Sequence, residues 1–287
     1  MTETQIVCIY HSPCNDGFTA AWIVHNYFKD KGESVLLYPT TYGKEPPLEI
    51  CKGKIVYVVD FSYKPFPHQQ LADVAEEVIV IDHHKTALIL LDSSQVDNVE
   101  LNINLNYSGA ALTWQYFYPH DPIPKIVQYV EDRDMWWKRL PHCDDIHYAL
   151  SSYEPDIAIW DILATRLEGI TEYIAMCEEG AAIQRYNASW IISHLVSATR
   201  EVLLAGYLVP SINIPGIFTS DAVGVLAKNR PFAIAWYDTQ TLRKYSLRSN
   251  KDYPHAIDVS EIAKVYGGGG HKHAAGFELS LDSIIVW

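Results

Sequence analysis

A short apolar run that ends in an acid and two histidines is the feature that most limits how this chain can fold. Residues 78–81 are Val-Ile-Val-Ile, and Asp82, His83 and His84 follow them directly. Such a run is typical of a buried strand, and open α/β sheets bind ligands at the carboxyl ends of their strands. Because neighbouring residues of a strand point to opposite faces, we expect one histidine to bind a metal ion and the other to face a substrate.

The rest of the N-terminal half alternates between strand and helix patterns. Three further apolar runs have the length of buried strands, at residues 5–10, 35–38 and 55–59. Two segments between these runs have helical spacing, at residues 18–28 and 66–77. This alternation predicts an α/β fold with a doubly wound parallel sheet.

Three strands of the predicted sheet end in side chains that can bind a cation. His11 and Asp16 follow the first strand, Asp60 follows the third, and the fourth leads into residues 82–84. Because the carboxyl ends of parallel strands meet at one edge of a sheet, we expect these side chains to converge. Carboxylates also cap helices that follow strands, which accounts for Asp16 and Asp60 but not for two consecutive histidines.

Two segments beyond residue 100 add further candidates. Residues 123–130 have helical spacing and run into an acidic segment, from which either Asp132 or Asp134 is predicted to supply a remaining carboxylate. Ser108 precedes another helical segment and is of the residue type that caps helix N-termini. The start of that helix can also bind an oxyanion.

The C-terminal part of the chain contains four consecutive glycines. Residues 267–270 are followed by His271, and Arg248 and Ser249 lie at the end of a strand-like segment, residues 242–248. A glycine run costs backbone entropy, and its bare N–H groups can surround an anion. Over the alternative of a flexible loop, we predict phosphate contacts at this run, which includes Gly268, Gly269, Gly270 and His271.

These patterns divide the chain into three predicted parts. Residues 1–150 form the sheet domain with the candidate ligands, and residues 206–287 form a smaller α/β domain. Residues 151–205 are predicted as a helical connector, because residues 155–205 have helical spacing nearly throughout.

Composition limits the partners of the chain. The formal net charge of −13 argues against binding long duplex nucleic acid, which requires a basic surface, but permits a small anionic ligand. The five cysteines are scattered and form no CxxC pair, so neither a disulfide framework nor a structural zinc site is implied. The N-terminus does not have the pattern of a signal peptide, and no apolar run approaches the ~20 residues of a membrane span. We therefore expect a cytoplasmic protein with no membrane partner.

Taken together, these motifs resemble the DHH phosphoesterase superfamily, in the branch that pairs a DHH domain with a C-terminal glycine-rich domain. The matching motifs occur in family order over nearly the whole chain: residues 11–17, 60, 82–84, 108–110, 132–134, 246–249, 267–271 and 274–276. The resemblance implies hydrolysis of phosphodiester or phosphomonoester bonds. It also implies two divalent cations, usually Mn²⁺, with Mg²⁺, Co²⁺ or Zn²⁺ as alternatives.

The resemblance further implies roles for individual residues. One cation would be held by His11 and Asp60, with Cys14 as a further candidate. The other would be held by Asp16, Asp60, His83 and Asp132, where Asp134 is the alternative to Asp132. Asp60, Asp82 and His84 are the implied catalytic residues: Asp60 bridges the cations, Asp82 orients a histidine, and His84 contacts the substrate. The implied substrate-binding residues are Ser108, Arg248, Ser249, Gly268, Gly269, Gly270 and His271.

One departure from the family pattern concerns Cys14. Cys14 stands where the family's first motif has an aspartate, and His11 is at a shifted spacing. A thiolate ligand would favour softer ions than Mg²⁺. Alternatively, the position leaves one ligand to water or substrate, so the identity of the first metal stays open.

The substrate that the resemblance favours is a short single-stranded oligonucleotide or a dinucleotide, held between two domains. A cyclic dinucleotide, an adenosine bisphosphate and a longer 5′-phosphorylated strand are alternatives within the class. An inorganic pyrophosphatase would lack the glycine run. A decayed nucleotide-binding protein and a structural metal protein are the non-catalytic alternatives, and the carboxylate-rich ligand set disfavours the latter. The sequence leaves a homodimer open.

Overall fold

The computed structural model of the chain describes residues 5–93 and 98–283. The chain divides into two compact units, Met1–Gln184 and Arg185–Trp287. The boundary between the units falls within residues 151–205, while the division into three parts at residues 150 and 205 stays a prediction.

The first unit contains a five-stranded sheet in which all strand pairs are parallel. The strands lie in the order β2-β1-β3-β4-β5. Their bounds are β1 (Ile6–His11), β2 (Val35–Thr40), β3 (Ile55–Val59), β4 (Glu77–Asp82) and β5 (Val99–Ile103). The helices of the chain up to residue 198 are α1 (Asn15–Asp30), α2 (Leu48–Cys51), α3 (Pro65–Val74), α4 (Leu88–Ser93), α5 (Gly109–Phe117), α6 (Lys125–Asp134), α7 (Cys143–Ser151), α8 (Ile157–Glu168) and α9 (Ile170–Ala198).

Both faces of this sheet are covered, which confirms the doubly wound fold. Ile6, Cys8 and Tyr10 of β1 pack into one apolar core together with residues of α1, α5, α6, α7 and α8. The alternate residues Val7 and Ile9 pack into a second core with residues of α2 and α3. A strand that is buried on both faces needs apolar residues at every position, which is why these strands were predictable as continuous apolar runs.

The second unit contains a mixed six-stranded sheet in the order β10-β11-β9-β8-β7-β6, in which only the β7–β8 pair of the described strands is parallel. Its elements are β6 (Arg200–Leu204), β7 (Tyr207–Asn213), α10 (Thr219–Leu226), β8 (Ala233–Asp238), β9 (Leu242–Arg248), α11 (Val259–Val265), β10 (Gly269–His271) and β11 (Ala274–Ser280). This unit is the smaller α/β part that the sequence predicts.

The region predicted as continuous helix, residues 155–205, requires a correction. Its last part is the strand β6, paired with β7. The helical segment is also interrupted at Gly169, which ends α8, and Ile170 after it is exposed. In residues 5–93 and 98–283, we find no helix with the length and apolar content that a membrane crossing requires.

Candidate metal centre

The predicted ligands converge at the carboxyl ends of three adjacent strands. β1, β3 and β4 are neighbours in the sheet, and each ends in a candidate ligand. His11 is the last residue of β1, Asp60 follows β3, and Asp82 is the last residue of β4. The parallel direction of the strands therefore gathers His11, Asp60 and the histidines after Asp82 at one edge, as predicted.

Asp60 lies at the middle of this cluster. Its Oδ2 atom is 3.6 Å from His11 Nδ1, and its Oδ1 atom is 3.1 Å from His83 Nε2. The side chain is buried, and the backbone has a φ of 53°. A non-glycine residue with positive φ is uncommon, and such strained residues concentrate at functional sites. The two carboxylate oxygens of Asp60 thus face two different groups of ligands.

Asp16 is fixed by the N-terminus of helix α5. Its carboxylate oxygens accept hydrogen bonds from the backbone N–H groups of Gly109, at 2.7 Å, and Ala110, at 3.0 Å. One of these oxygens also lies 3.6 Å from His83 Nε2. The anion at this helix N-terminus is therefore Asp16, which is held rigidly beside His83.

Two glycines allow the backbone to approach these ligands closely. A Cβ atom at Gly109 would lie 2.5 Å from the Cβ atom of Asp60, and one at Gly17 would lie 2.1 Å from the backbone oxygen of His11. Neither separation is sterically allowed, so any side chain at these positions would displace a ligand. Gly17 and Gly109 are therefore part of the architecture of the centre.

The contacts of Asp132 and Asp134 differ, and they favour Asp134 over Asp132 as the candidate for the second ligand set. Asp134 Oδ2 lies 3.5 Å from His83 Nε2. The Asp132 carboxylate instead accepts hydrogen bonds from the backbone N–H groups of Arg139, at 3.0 Å, and Leu140, at 2.9 Å. Residues two apart on a helix do not share a face, so only one of the pair can reach the centre.

Asp82 and His84 form a pair beside the cluster. Asp82 is buried, and its Oδ1 atom accepts a 2.8 Å hydrogen bond from His84 Nδ1. The same oxygen accepts from the backbone N–H groups of His83 and His84. Burial alone would lower the pKa of His84, but the Asp82 carboxylate outweighs this effect and the pKa is raised. Asp82 therefore fixes the orientation of the His84 ring and favours its protonated form. The other ring nitrogen of His84, Nε2, takes no part in the contact with Asp82.

Several carboxylates lie close together in this cluster, and their charges and burial shift the pKa values of the residues. Burial raises the pKa of Asp16 well above its ordinary value, and the charges of Asp60 and Asp134 raise it further. Burial acts in the same direction on Asp60, but its contacts with His11 and His83 prevail and hold its pKa far below the usual range. Burial lowers the pKa of His83, yet the contact with Asp60 dominates and raises it. A positive charge among Asp16, Asp60 and Asp134 would offset the repulsion between these carboxylates and so stabilise the folded chain.

The residues fit a pair of cations. Asp60 Oδ2 and His11 Nδ1 are buried atoms that make no hydrogen bond within the described part of the chain. Among the described residues, several groups of three possible ligand atoms lie within 4.8 Å of one another, and two of these groups are His11, Cys14 and Asp60, and Asp16, His83 and Asp134. Buried polar atoms without hydrogen bonds are costly, and a bound ion would satisfy them.

Cys14 belongs to the first of these groups. It precedes helix α1 and is only partly buried by its surroundings. Burial and the charge of Asp60 raise the pKa of its thiol well above the ordinary value. The sulfur thus keeps its proton unless a nearby cation compensates for the carboxylates.

Ser108 has a structural role in addition to its predicted role in substrate binding, which stays a prediction. The side chain is fully buried, and its hydroxyl oxygen accepts a hydrogen bond from the backbone N–H of Ala111 at 3.2 Å. Ser108 is therefore the N-cap of helix α5 and acts on the centre through the helix that holds Asp16.

The glycine run forms an edge hairpin of the second unit. Residues 269–271 pair with residues 274–276 of β11. A Cβ atom at Gly268 would lie 2.1 Å from the backbone oxygen of Gly276, and Gly270 has a φ of 135°. Gly267, with a φ of 80°, ends helix α11. Packing and backbone conformation thus account for these three glycines, while phosphate contact at Gly268, Gly269 and Gly270 stays a prediction.

Arg248 and His271 lie in one row across the sheet of the second unit. Ala274 of β11 pairs with His271 of β10 on one side and with Arg248 of β9 on the other. The side chains of His271 and Arg248 therefore project from the same face of the sheet, with only the small Ala274 side chain between them. The Arg248 guanidinium is held by Ser220 Oγ at 3.3 Å and by its neighbour's backbone oxygen, Leu247 O, at 2.9 Å. This row is suited to an anionic group.

Ser249 differs from Arg248 and His271 in its surroundings, and its role in substrate binding stays a prediction. The side chain is buried, and its hydroxyl donates to the backbone oxygen of Ile257 at 2.7 Å. The same oxygen contacts His273 Nδ1 at 2.8 Å. Ser249 is thus engaged in the interior of the second unit.

The sequence reasoning missed an aromatic pair beside the histidines. The ring of Tyr42 lies 5.5 Å from that of His11 and 5.7 Å from that of His84. Phe61 packs 4.9 Å from Tyr42 and stacks on His11. Phe61 directly follows Asp60 in the sequence, and this position could have indicated that its ring lies near the ligands. Tyr42 lies in a loop whose path the sequence does not show.

Comparison with known proteins gives two sequence relatives and a shared fold. No family model matches the chain. The chain is 32% identical over 293 residues to uncharacterized protein R106 of Acanthamoeba polyphaga mimivirus, covering 96% of this chain and 67% of that protein. It is 26% identical over 262 residues to oligoribonuclease NrnB of Bacillus subtilis (strain 168), covering 83% of this chain and 63% of that protein. The chain therefore spans about two thirds of the length of these relatives.

A solved structure shares the fold. The DHH domain of a protein described as a member of a family of ribosomal proteins superposes with a TM-score of 0.60 at 13% identity, over 96% of this chain and 82% of that chain.

Proposed function

We propose that this chain is a member of the DHH superfamily of phosphoester hydrolases, since it shares the fold of a DHH domain, and that it cleaves short single-stranded oligonucleotides or dinucleotides to mononucleotides with the help of two divalent cations. The cations we propose are Mn²⁺ in the first instance, with Mg²⁺, Co²⁺ and Zn²⁺ as alternatives. We also propose a location in the cytoplasm.

The observation that carries this proposal is the position of Asp60 between two ligand groups. Its Oδ2 atom faces His11 at 3.6 Å, and its Oδ1 atom faces His83 at 3.1 Å. We assign His11, Cys14 and Asp60 to one cation, and Asp16, His83, Asp134 and Asp60 to the other. Held by these residues, two cations would supply a water of lowered pKa and positive charge near the phosphoryl oxygens.

The protein residues contribute position and a proton donor. The N-terminus of α5 fixes Asp16 through two backbone hydrogen bonds, which keeps the second ligand group in place before substrate binds. Asp82 accepts a hydrogen bond from Nδ1 of His84, so the protonated His84 can direct its Nε2–H at an oxygen of the scissile phosphate. A pre-positioned donor of this kind stabilises charge that develops in the transition state.

The second unit contains a row of side chains that we propose as a phosphate-binding site. Arg248 and His271 leave the same face of its sheet on either side of Ala274. Arginine binds phosphate by two parallel hydrogen bonds, and its guanidinium is already oriented here by Ser220. The adjacent glycine run lets a phosphate approach the backbone. We propose that this row binds a phosphate that is not cleaved.

The choice of substrate rests on the relative named oligoribonuclease and on the charge of the chain. A net charge of −13 opposes the binding of long strands, because a long polyanion needs many basic contacts. A dinucleotide or short oligonucleotide needs only the two cations and a few basic groups. The substrate is therefore proposed to be short.

A panel of phosphate esters in Mn²⁺ tests the proposal. We expect the full chain to convert a dinucleotide and a short oligoribonucleotide to mononucleotides, and to lose this activity after treatment with a chelator. The panel includes a cyclic dinucleotide, an adenosine bisphosphate, pyrophosphate and a long 5′-phosphorylated strand. Faster turnover of one of these compounds would replace the proposed substrate, and no turnover of any compound with any of the four cations would overturn the proposed activity.

A further inference from the structure

Cys14 gives one of the two ligand groups a chemical character that the other lacks. The residue occupies the N-cap position of α1, but its side chain makes no capping hydrogen bond to that helix. Its Sγ atom lies within 4.8 Å of a ring nitrogen of His11 and an oxygen of Asp60, and these three atoms are within the same distance of one another. The side chain therefore belongs to the ligand cluster and not to the helix.

A second observation shows that this place is suited to a ligand. Asp60 is 1% exposed, and its Oδ2 atom makes no hydrogen bond within the described residues. This oxygen is directed at His11 Nδ1, at 3.6 Å, and the His11 atom is likewise buried without a hydrogen bond. That separation is too long for a hydrogen bond. It suits two ligands of one ion, each at the usual metal–ligand distance.

The second ligand group has different donor atoms. Asp16 and Asp134 contribute carboxylate oxygens and His83 contributes one ring nitrogen. Hard oxygen donors suit Mn²⁺ and Mg²⁺, whereas thiolate together with imidazole suits Zn²⁺ and Co²⁺. Asp60 faces both groups through different oxygens. The two places would therefore differ in the ions that they prefer.

We propose that the His11–Cys14–Asp60 group binds a borderline-soft divalent ion, Zn²⁺ or Co²⁺, through the Cys14 thiolate, while the Asp16–His83–Asp134 group binds Mn²⁺ or Mg²⁺. When the sulfur–metal bond forms, the thiol proton passes to water, so no oxidant or reductant is involved. This inference deepens the proposed function, on which it rests for the presence of two cations, and it replaces a pair of like ions with a mixed pair.

Cobalt spectroscopy on the full chain tests the sulfur ligand without any measurement of activity. After removal of metals with a chelator, the chain is titrated with Co²⁺. We expect the near-ultraviolet charge-transfer absorption that a thiolate–cobalt bond produces, and we expect it to be absent from Cys14→Ser and Cys14→Asp. The control is Cys51→Ala, because Cys51 is buried in the core that includes residues of α2 and α3 and belongs to none of the ligand groups. The thiolate–cobalt absorption should persist in the Cys51→Ala variant.

Competition between metals tests the selectivity. With one equivalent each of Zn²⁺ and Mn²⁺ per chain, we expect one zinc and one manganese ion bound to the wild type. Cys14→Asp should lower the zinc affinity by about 10- to 100-fold, the range that loss of a partner around a metal produces. The zinc of that variant should therefore be removed at a lower concentration of a competing chelator. Circular dichroism of each variant verifies that the chain is folded.

Either of two results would overturn the proposal: a wild-type chain with no thiolate band, or a band and a zinc content that Cys14→Ser leaves unchanged. The spectroscopic result is separable from the proposed function. A chain that shows the Cys14-dependent band but hydrolyses no phosphate ester would refute the activity and support the mixed metal pair. A chain that hydrolyses dinucleotides with no such band would do the reverse.

Discussion

At the scale of single residues, the centre depends on which hydrogen bonds each carboxylate accepts. Asp16 accepts two backbone N–H bonds and still faces His83, whereas both oxygens of Asp132 accept bonds from the loop after α6. Strand ends made His11, Asp60 and His83 predictable, because a parallel sheet brings such ends together. The identity of the helical carboxylate was not predictable, because it depends on how α6 is rotated about its axis.

Asp134→Asn and Asp132→Asn form a matched pair that separates these roles. We expect Asp134→Asn to weaken Mn²⁺ binding by about 10- to 100-fold or more, with little change in stability. Asp132→Asn should leave the Mn²⁺ affinity nearly unchanged. It should lower the free energy of unfolding by about 1–3 kcal/mol, because two charge-assisted hydrogen bonds to Arg139 and Leu140 are weakened. Calorimetric titration and urea unfolding measure the two effects, and the opposite pattern would restore Asp132 to the ligand set.

At the scale of secondary structure elements, helix α5 connects the two ligand groups. Its N-terminal N–H groups hold Asp16, and its first residue, Gly109, lies against Asp60. The buried parallel strands were predicted almost to the residue, since their apolar runs are continuous. Phosphate contact at the glycine run stays a prediction, and the edge strand β10 in this run was not predictable, because pairing with β11 is a long-range contact that no local pattern reveals.

Gly109→Ala tests this connection. The added methyl group would lie 2.5 Å from Asp60 Cβ, so either the helix or Asp60 must move. We expect a loss of stability of about 1–3 kcal/mol together with loss of metal-dependent turnover. Gly224→Ala in α10 is the control, because no atom lies within 4 Å of the added methyl group, and it should stabilise the chain by about 0.4–1 kcal/mol. A Gly109→Ala variant with wild-type metal affinity and turnover would show that the close approach is not needed.

At the scale of the whole molecule, the chain combines a carboxylate-rich metal centre in one unit with a basic row in the other. The N-terminal sheet and the second α/β unit were both predictable from alternating patterns. The boundary of the units was not, because it falls inside helix α9 (Ile170–Ala198), whose pattern contains no break at residue 184.

Arg248→Ala tests the proposal that the second unit contributes to substrate binding and not to the chemical step. We expect KM for a dinucleotide to rise by about 10-fold or more, since a charged hydrogen-bond partner of the phosphate is removed, while kcat changes little. Arg243→Ala is the control on the same strand, because the Arg243 guanidinium forms an ion pair with Asp238, in which Nε lies 2.6 Å from Oδ1. Steady-state kinetics on both variants measures the effect. A fall in kcat at unchanged KM would remove Arg248 from substrate binding.

The most direct measurement for the central claim is the number of Mn²⁺ ions bound per chain, by calorimetric titration of the metal-free wild type and of Asp60→Asn. The Asn side chain preserves the shape of the residue and removes the charge that faces both His11 and His83. The account predicts two ions per wild-type chain, and weakening of both by more than about 100-fold in the folded variant. Two ions bound with equal affinity by wild type and Asp60→Asn, or none bound by the wild type, would contradict it.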